Sequence, residues 1–318
     1  MKALFIIDPL DGLKPYKDTS IDLMVEARQR GHEVYWCGPE DVSAGSHGVS
    51  AFARTLALDA SIREHKTMAT ASWESGAPAD TPLQGFGAIF IRPDPPFDQR
   101  YLSLALLLDP LTESVQFVNR PDALRLISEK LSALHFPQAI PQSLISYRAE
   151  ALRAFAGSFD KVVLKPCYLA SGNGIVVSAA DDPDFETHVA GILAAEPKGP
   201  VIAQEFLPEV REGDTRVMVI DGEVVGAVGR KPAVGEFRAN IAAGGSSIAA
   251  TLTDGQRAAA VEVGRMLKAH GVLFAGLDFI GDRLIEINVT SPTLVQELRR
   301  LGGPDVSKLI WDRIEERA

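Results

Sequence analysis

Cysteine is nearly absent from this chain of 318 residues, where only Cys37 and Cys167 occur. Two thiols cannot build a disulfide framework, so a hydrophobic core must hold the fold and a reducing cytoplasm is the expected compartment. Basic charge is also short: 32 Lys and Arg against 42 Asp and Glu leave a net charge of −10. With no excess of cations to neutralise phosphates, nucleic acid is excluded as a general partner, although a local basic pocket for a nucleotide fits that balance. Long apolar runs are missing as well. The opening KALFIIDPLDG has five apolar residues before Asp8, so it is expected to be neither a signal peptide nor a membrane span, and a membrane is not an expected partner. The six His are scattered without ligand spacing, which argues against zinc, and none stands near Cys167 to activate it as a nucleophile.

What is present describes an ordinary soluble globular composition, 46% hydrophobic and 23% charged, with room for about two domains. Residues 2 to 8 read as a buried strand, Asp18 to Gly31 as a helix capped by Asp18 or Thr19, and EVYWC (Glu33 to Cys37) as a second strand. Strand, helix and strand at that spacing make a βαβ unit with parallel pairing. Asp41 to Gln84 is rich in Ala, Ser and Gly and shows little periodicity. A strand from Gly87 to Arg92, a helix from Gln99 to Leu108 and a strand near Gln116 to Asn119 complete an N-terminal α/β domain, residues 1–120. Asp8, Arg92, Asp94 and Asn119 fall at carboxyl ends of its strands, where ligands gather in such sheets.

From Arg120 onward the pattern changes. Pro121 opens a helix at its first position, and Ser128-Glu129-Lys130 precedes another apolar-periodic stretch. Short strands follow at Gln142 to Ser146, Lys161 to Pro166, Ile175 to Ala179 and Val201 to Leu207, with a helix near Pro183 to Ala195. Arg216 to Ile220 and Val224 to Arg230 pair across Asp221-Gly222, a strong hairpin signal. Lys231 to Ser247 is rich in Gly and Ala and reads as mobile. A capped helix, Asp254 to His270, leads to a last hairpin and two closing helices.

That hairpin, LFAGLDFIGDRLIEINVTSPT (Leu273 to Thr293), carries the strongest chemical signal. Glu286 and Asn288 are two apart, so on a strand they share a face. The loop decides where Asp278 points. A two-residue loop at Gly281-Asp282 pairs Ile280 with Arg283 and turns Asp278 away, whereas a three-residue loop sets it across from Glu286. Two carboxylates and an amide oxygen on one face suit a hard cation such as Mg²⁺. A shared metal site therefore requires an odd number of loop residues.

Other residues read as phosphate or carboxylate binders. Lys130 and the strand-ending Lys165 are point charges for phosphates. Between Lys165 and Ile175, Gly172 and Gly174 let backbone N–H groups approach phosphate oxygens. The strand end at Glu205, Phe206 and Leu207 offers backbone groups and an apolar wall to a planar base. Arg216, Arg230 and Arg238, followed by Asn240, supply guanidinium groups that clamp carboxylate or phosphate.

In sequence order, IRPDPPFD, NRPDALRLISEKL, EGDTRVMVIDGE, GEFRANIAAGG and GLDFIGDRLIEINVTSP resemble the ATP-grasp ligases, and within them the prokaryotic glutathione synthetases. The likeness runs nearly the full chain, including DPLDGLKPYKDTS, and is weakest from about Ser43 to Thr81. It implies an α/β (α+β overall) architecture: a Rossmann-like parallel-sheet domain, then a two-lobed ATP-grasp domain over 121–318 with lobes of about 121–203 and 204–318. It implies ATP with Mg²⁺ (or Mn²⁺), Lys130, Lys165, Ser171, Gly172 and Gly174 at the phosphates, Glu205 to Leu207 at adenine and Asp214 near the ribose. Asp278, Glu286 and Asn288 would bind the metal. Arg216, Arg230, Arg238 and Asn240 would serve catalysis, and Arg92, Ser291 and Thr293 the substrate. Asn240 and Gly244-Gly245 would belong to a loop closing over the site.

The implied reaction joins γ-glutamylcysteine and glycine through an acyl phosphate, in a cytoplasmic homo-oligomer whose other partners are small peptide and amino-acid substrates. Departures stand beside these matches. The phosphate loop reads KPCYLASG where the family usually has KPLDGMGG, a spacing nearer the glutamate-adding ligases. Pro93 and Ser246 stand where basic residues are frequent. Addition of another amino acid, or nucleotide binding without turnover, are the alternatives at this point.

Overall fold

The computed structural model describes residues 1–170, 172–232 and 245–317. Its first sheet grows from β1 (Lys2–Ile6), whose last four residues are wholly buried. Helix α1 (Thr19–Gln29) follows, its first turn fixed by the Asp18 carboxylate accepting the Ile21 N–H at 2.8 Å, an N-cap satisfying an otherwise orphan donor. Next comes β2 (Glu33–Cys37), parallel to β1 as the βαβ spacing predicts.

The segment with little periodicity then forms strands: β3 (Val42–Gly45), β4 (Gly48–Leu58), β5 (Trp73–Ser75) and β6 (Ala79–Pro82). Strand β4 runs antiparallel to β2, β3, β5 and β6. Its inward residues include Ala51 and Ala53, small side chains that hide the alternation a larger apolar set would show. Strand β7 (Ala88–Ile91), helix α2 (Gln99–Leu108) and β8 (Gln116–Val118) complete the sheet in the order β3-β4-β2-β1-β7-β8.

Helix α3 (Pro121–Leu126) has Pro121 at its start as predicted. A second, antiparallel sheet follows, built from β9 (Ser143–Ser146), β10 (Val162–Pro166), β11 (Val176–Ser178) and β12 (Val201–Glu205) in the order β11-β10-β12-β9. It packs on α4 (Ala149–Ala156), unforeseen from the sequence, and α5 (Phe185–Ala194). Leu152, Val162, Leu164, Phe185, Val189 and Val201 give this lobe a core of its own.

The third sheet, β15-β14-β13-β16-β17, is antiparallel throughout. Strands β13 (Asp214–Ile220) and β14 (Glu223–Lys231) turn at Asp221 and Gly222, with φ of 49° and 82°, the left-handed pair that a tight hairpin needs. Strand β15 (Ser246–Ala249) leads to α6 (Asp254–Ala269), opened by a capping box between Thr253 and Gln256. Strands β16 (Phe274–Ile280) and β17 (Arg283–Asn288) precede α7 (Val295–Arg300) and α8 (Val306–Glu315).

The first and third sheets share their cores. Asn119, read as a ligand-end residue, is instead the stitch between them. Its Oδ1 accepts the Leu273 and Phe274 N–H groups, and its Nδ2 donates to the Phe274 and Val289 carbonyls, all within 2.9 Å. Among the described residues no helix is long and apolar enough to cross a membrane.

Candidate active site

The β16–β17 hairpin resolves the loop question in an unexpected way. Ile280 pairs with Arg283 around a two-residue turn, Gly281-Asp282, so the expectation of an odd-numbered loop is wrong. The register then shifts between Asp278 and Phe279: Phe279 faces Leu284, and Asp278 faces Glu286. Ile285 is the extra residue of a β-bulge, and the bulge restores the parity that the turn removes. Asp278 and Glu286 therefore share a face, with Asn288 beside them; its Nδ2 donates to the Gly276 carbonyl at 3.1 Å.

Asp278 lies deep in this wall at 6% exposure. Arg216, directly opposite it on β13, grips it with two N–H donors, the Nη2–Oδ2 contact being 2.7 Å. Arg230 adds a contact at 2.9 Å and holds Asp214 bidentately at 2.5 and 2.7 Å. Burial alone would push the Asp278 carboxyl up, but Arg216 and Arg230 outweigh it and hold the group down at about 2. The Arg216 stem passes over Gly276, where a Cβ would sit 2.6 Å from its Cδ. Only glycine permits that crossing.

Across the cavity, Lys165 is buried on β10 and donates to Gln204 Oε1 at 2.9 Å. Burial pushes its ammonium down to about 8. Lys130 Nζ donates to the Leu169 carbonyl of the Gly-containing loop and lies 3.5 Å from Glu286. Gly172, at φ 74°, lines the cavity, whereas Gly174, at φ 72°, packs on Pro166 behind the loop. Cys167 donates to the Pro200 carbonyl, and burial raises its thiol to about 11, which leaves it an inert structural residue.

One cavity of about 600 Å³ joins these groups. Glu205, Phe206 and Leu207 form its rim, though the N–H groups of Glu205 and Phe206 are engaged by the Gln142 and Lys161 carbonyls. Asp214, Ser291 and Thr293 line it too. Arg92 does not. It is buried behind the wall, donating to Ser20 Oγ at 2.9 Å and to the Pro292 carbonyl at 2.8 Å. It therefore positions the Ser291–Thr293 segment and is withdrawn as a substrate contact. Ser171, Arg238, Asn240 and most of the expected closing loop lie outside the described residues.

Sequence reasoning missed the far end of the cavity, where Lys14, Lys17, Asp18, Leu294 and Glu297 contribute. The one signal was KPYKD, two lysines crowded before a helix cap; Leu294 and Glu297 gave none.

The donor set matches the implied metal. Asp278, Glu286 and Asn288 are hard oxygen ligands on one face, with no thiol or imidazole among them, and they fit Mg²⁺.

The ATP-grasp domain of the prokaryotic glutathione synthetases matches residues 129–303, and the N-terminal domain of the same family matches residues 1–125. The chain belongs to the prokaryotic glutathione synthetase family. A glutathione synthetase of Parasynechococcus marenigrum is 38% identical over 302 residues, 95% of this chain and 94% of that one. One from Nitrosomonas europaea is also 38% identical, over 99% of this chain and 98% of its own. Among solved structures, the D-cycloserine synthetase DcsG superposes with a TM-score of 0.69 at 15% identity, covering 100% of this chain and 99% of its own. The ATP-grasp ligase PsnB, complexed with a precursor variant, Mg and ADP, gives 0.61 at 20% identity, covering 99% and 98%. With the family match, these likenesses show the ATP-grasp fold.

Proposed function

We propose that this member of the glutathione synthetase family joins γ-glutamylcysteine to glycine, forming glutathione, ADP and phosphate. The chain is an ATP-dependent, ADP-forming carbon–nitrogen ligase, with ATP and Mg²⁺ as its cofactors. The observation that carries the reading is that one cavity brings together Lys130, Lys165, Arg216 and Arg230 with the carboxylate–amide face of Asp278, Glu286 and Asn288. In the reaction a substrate carboxylate oxygen attacks the γ-phosphorus and the bond to ADP breaks, leaving an acyl phosphate. The amine nitrogen then attacks that carbonyl and loses a proton, and phosphate departs.

Each side chain has a role in that sequence. Lys130 and Lys165 spread the phosphate charge, and Gly172 lets backbone approach it. Glu205 to Leu207 border the adenine, and Asp214 the ribose. Arg230, with Arg216, faces the reacting carboxylate and stabilises the oxyanion. Asp278, Glu286 and Asn288 would hold Mg²⁺, which when bound neutralises charge on the phosphates. Ser291 and Thr293 meet the acid substrate. Residues 1–120 form the N-terminal domain and 121–318 the ATP-grasp domain. Because β12 runs unbroken from Val201 to Glu205, we place the lobe division just after Glu205, beyond the 203/204 expectation.

A cytoplasmic setting accords with Cys37 and Cys167, both free and buried. A homo-oligomer accords with Leu106 and Leu126, exposed at 47% and 63% on the packed helices α2 and α3; light scattering reads that state directly. The function is tested by ADP release with a panel of acids and amines. Turnover with γ-glutamylcysteine and glycine supports it, and turnover confined to other pairs rejects it.

A further inference from the structure

Lys165 is a buried cation without a counter-ion among the described residues. Glu286, the carboxylate whose charge reaches it, is paired with Lys130 at 3.5 Å. At 4% exposure the ammonium needs an acceptor, and it has a neutral one, Gln204 Oε1, at 2.9 Å. The strand register places it there. Lys165 lies opposite Ile202 on β12, and Gln204, two residues further on, shares the face of Ile202. Behind the lysine, Ile140, Ile145, Ile202 and Ile285 wall a small cleft and offer no side-chain acceptor of their own.

The amide of Gln204 can point only one way. Ser143, opposite Gln204 on β9, donates its hydroxyl proton to the Pro141 carbonyl at 2.9 Å, a group that can only accept. The Ser143 oxygen is then left to accept from Gln204 Nε2, also at 2.9 Å. With its nitrogen so engaged, the amide turns its oxygen toward Lys165. The reverse orientation would set N–H donors against an ammonium, and an oxygen against a hydroxyl whose proton is already committed. Lys165, Gln204, Ser143 and Pro141 thus form a relay of hydrogen bonds with a single polarity and no negative charge in it.

We propose that Gln204 is a positioning residue for nucleotide binding: it anchors the buried Lys165 ammonium through a neutral oxygen, and Ser143 and Pro141 fix the amide that does so. The whole positive charge then remains for the phosphates. The inference rests on the reading of Lys165 as a phosphate contact given above. A carboxylate in the same place would hold the lysine equally well, but would cancel the charge that the phosphates meet. An apolar side chain would leave the ammonium unheld and favour its neutral form.

Calorimetric titration with ADP and Mg²⁺, set beside thermal melts of the nucleotide-free chain, tests this. Gln204→Glu keeps the shape of the side chain, and the Ser143 hydroxyl can turn to donate to the new carboxylate. Its Kd for ADP should rise roughly 10- to 100-fold, the range for a hydrogen bond to a charged group, while its melting temperature stays at or above that of the wild type. A merely structural residue would lose affinity and stability together. Gln204→Met should weaken ADP by a similar factor. Adding Gln204→Met to Lys165→Met should bring no further loss, because the glutamine acts through the lysine. Additive losses in that pair overturn the role of Gln204 alone. So does a Gln204→Glu variant that binds ADP like the wild type, or one that loses affinity and melting temperature together. A Lys165→Met variant of wild-type affinity removes the phosphate reading of Lys165, and this inference with it.

Discussion

Asp278 and Glu286 are both metal-type carboxylates, yet the structure separates what their loss would do. Asp278 neutralises two arginines inside the protein, whereas Glu286 is half-buried and meets Lys130 at 3.5 Å. Asp278→Ala leaves Arg216 and Arg230 facing each other without their shared counter-ion, which should destabilise the fold by about 3–5 kcal/mol. Glu286→Ala should leave the melting temperature nearly unchanged while removing Mg²⁺-dependent turnover. Thermal melts and ADP release on the two variants check this; equal melting temperatures would refute the buried-network account.

Lys165 makes a second prediction at this scale. Its ammonium is held down at about 8 by burial, so it is charged below that pH and neutral above it. Phosphate binding favours the charged form. ADP affinity should therefore be tightest below about 8 and weaken as the pH climbs past it, by a step that Lys165→Met abolishes. Calorimetric titration of ADP across that range reads the step without the complication of an amine substrate's own titration. A flat wild-type profile would show that Lys165 does not meet the phosphates.

At the scale of the element, the last hairpin depends on one supernumerary residue. Strict alternation from the Gly281-Asp282 turn would bring Ile285 opposite Asp278 and send Glu286 into the core. The bulge at Ile285 prevents this. Deleting Ile285 yields a regular hairpin in which Glu286 still faces Asp278, so Mg²⁺-dependent ATP binding should survive with only the loss of one half-buried apolar wall contact, about 1 kcal/mol. Abolished ATP binding in a folded deletion variant, measured by calorimetry, would mean that the bulge itself shapes the site.

Over the whole molecule the chain ends where it began. Helix α8 packs on α1, with Trp311 wholly buried and its indole N–H donating to the Leu23 carbonyl at 2.9 Å. Arg30 binds Asp312 and Glu315 at 2.7 Å each, and Asp22 accepts from Arg63, Arg299 and Ser307. Trp311→Ala should cost about 3–5 kcal/mol of stability. Because Trp311 packs on His32 and Phe90 away from the cavity, the KM for ATP should not move. A change in that KM at a temperature where the variant is folded would contradict this separation of core from site.

Much of this protein is legible in its sequence because the deciding chemistry is local. The Asp18 cap, the Asp221-Gly222 turn and the βαβ spacing each reflect interactions among residues close along the chain, and the fold contains all three. Lys130, Lys165, Asp278, Glu286 and Asn288 are legible because strand ends and same-face carboxylates announce their chemistry locally, and all five reach one cavity. Arg92 and Asn119 carry the same polar signal, yet one braces a loop and the other joins two sheets. Arg92's partners Ser20 and Pro292 lie 72 and 200 residues away, and Asn119's partner Phe274 lies 155 away, so no local pattern could separate ligand contact from structural brace. The strands of residues 42–82 are obscured because alanine fills inward positions of β4. Glu297 is invisible for a related reason: a glutamate in a helix reads as solvated until tertiary packing removes its water and leaves one oxygen without a donor among the described residues.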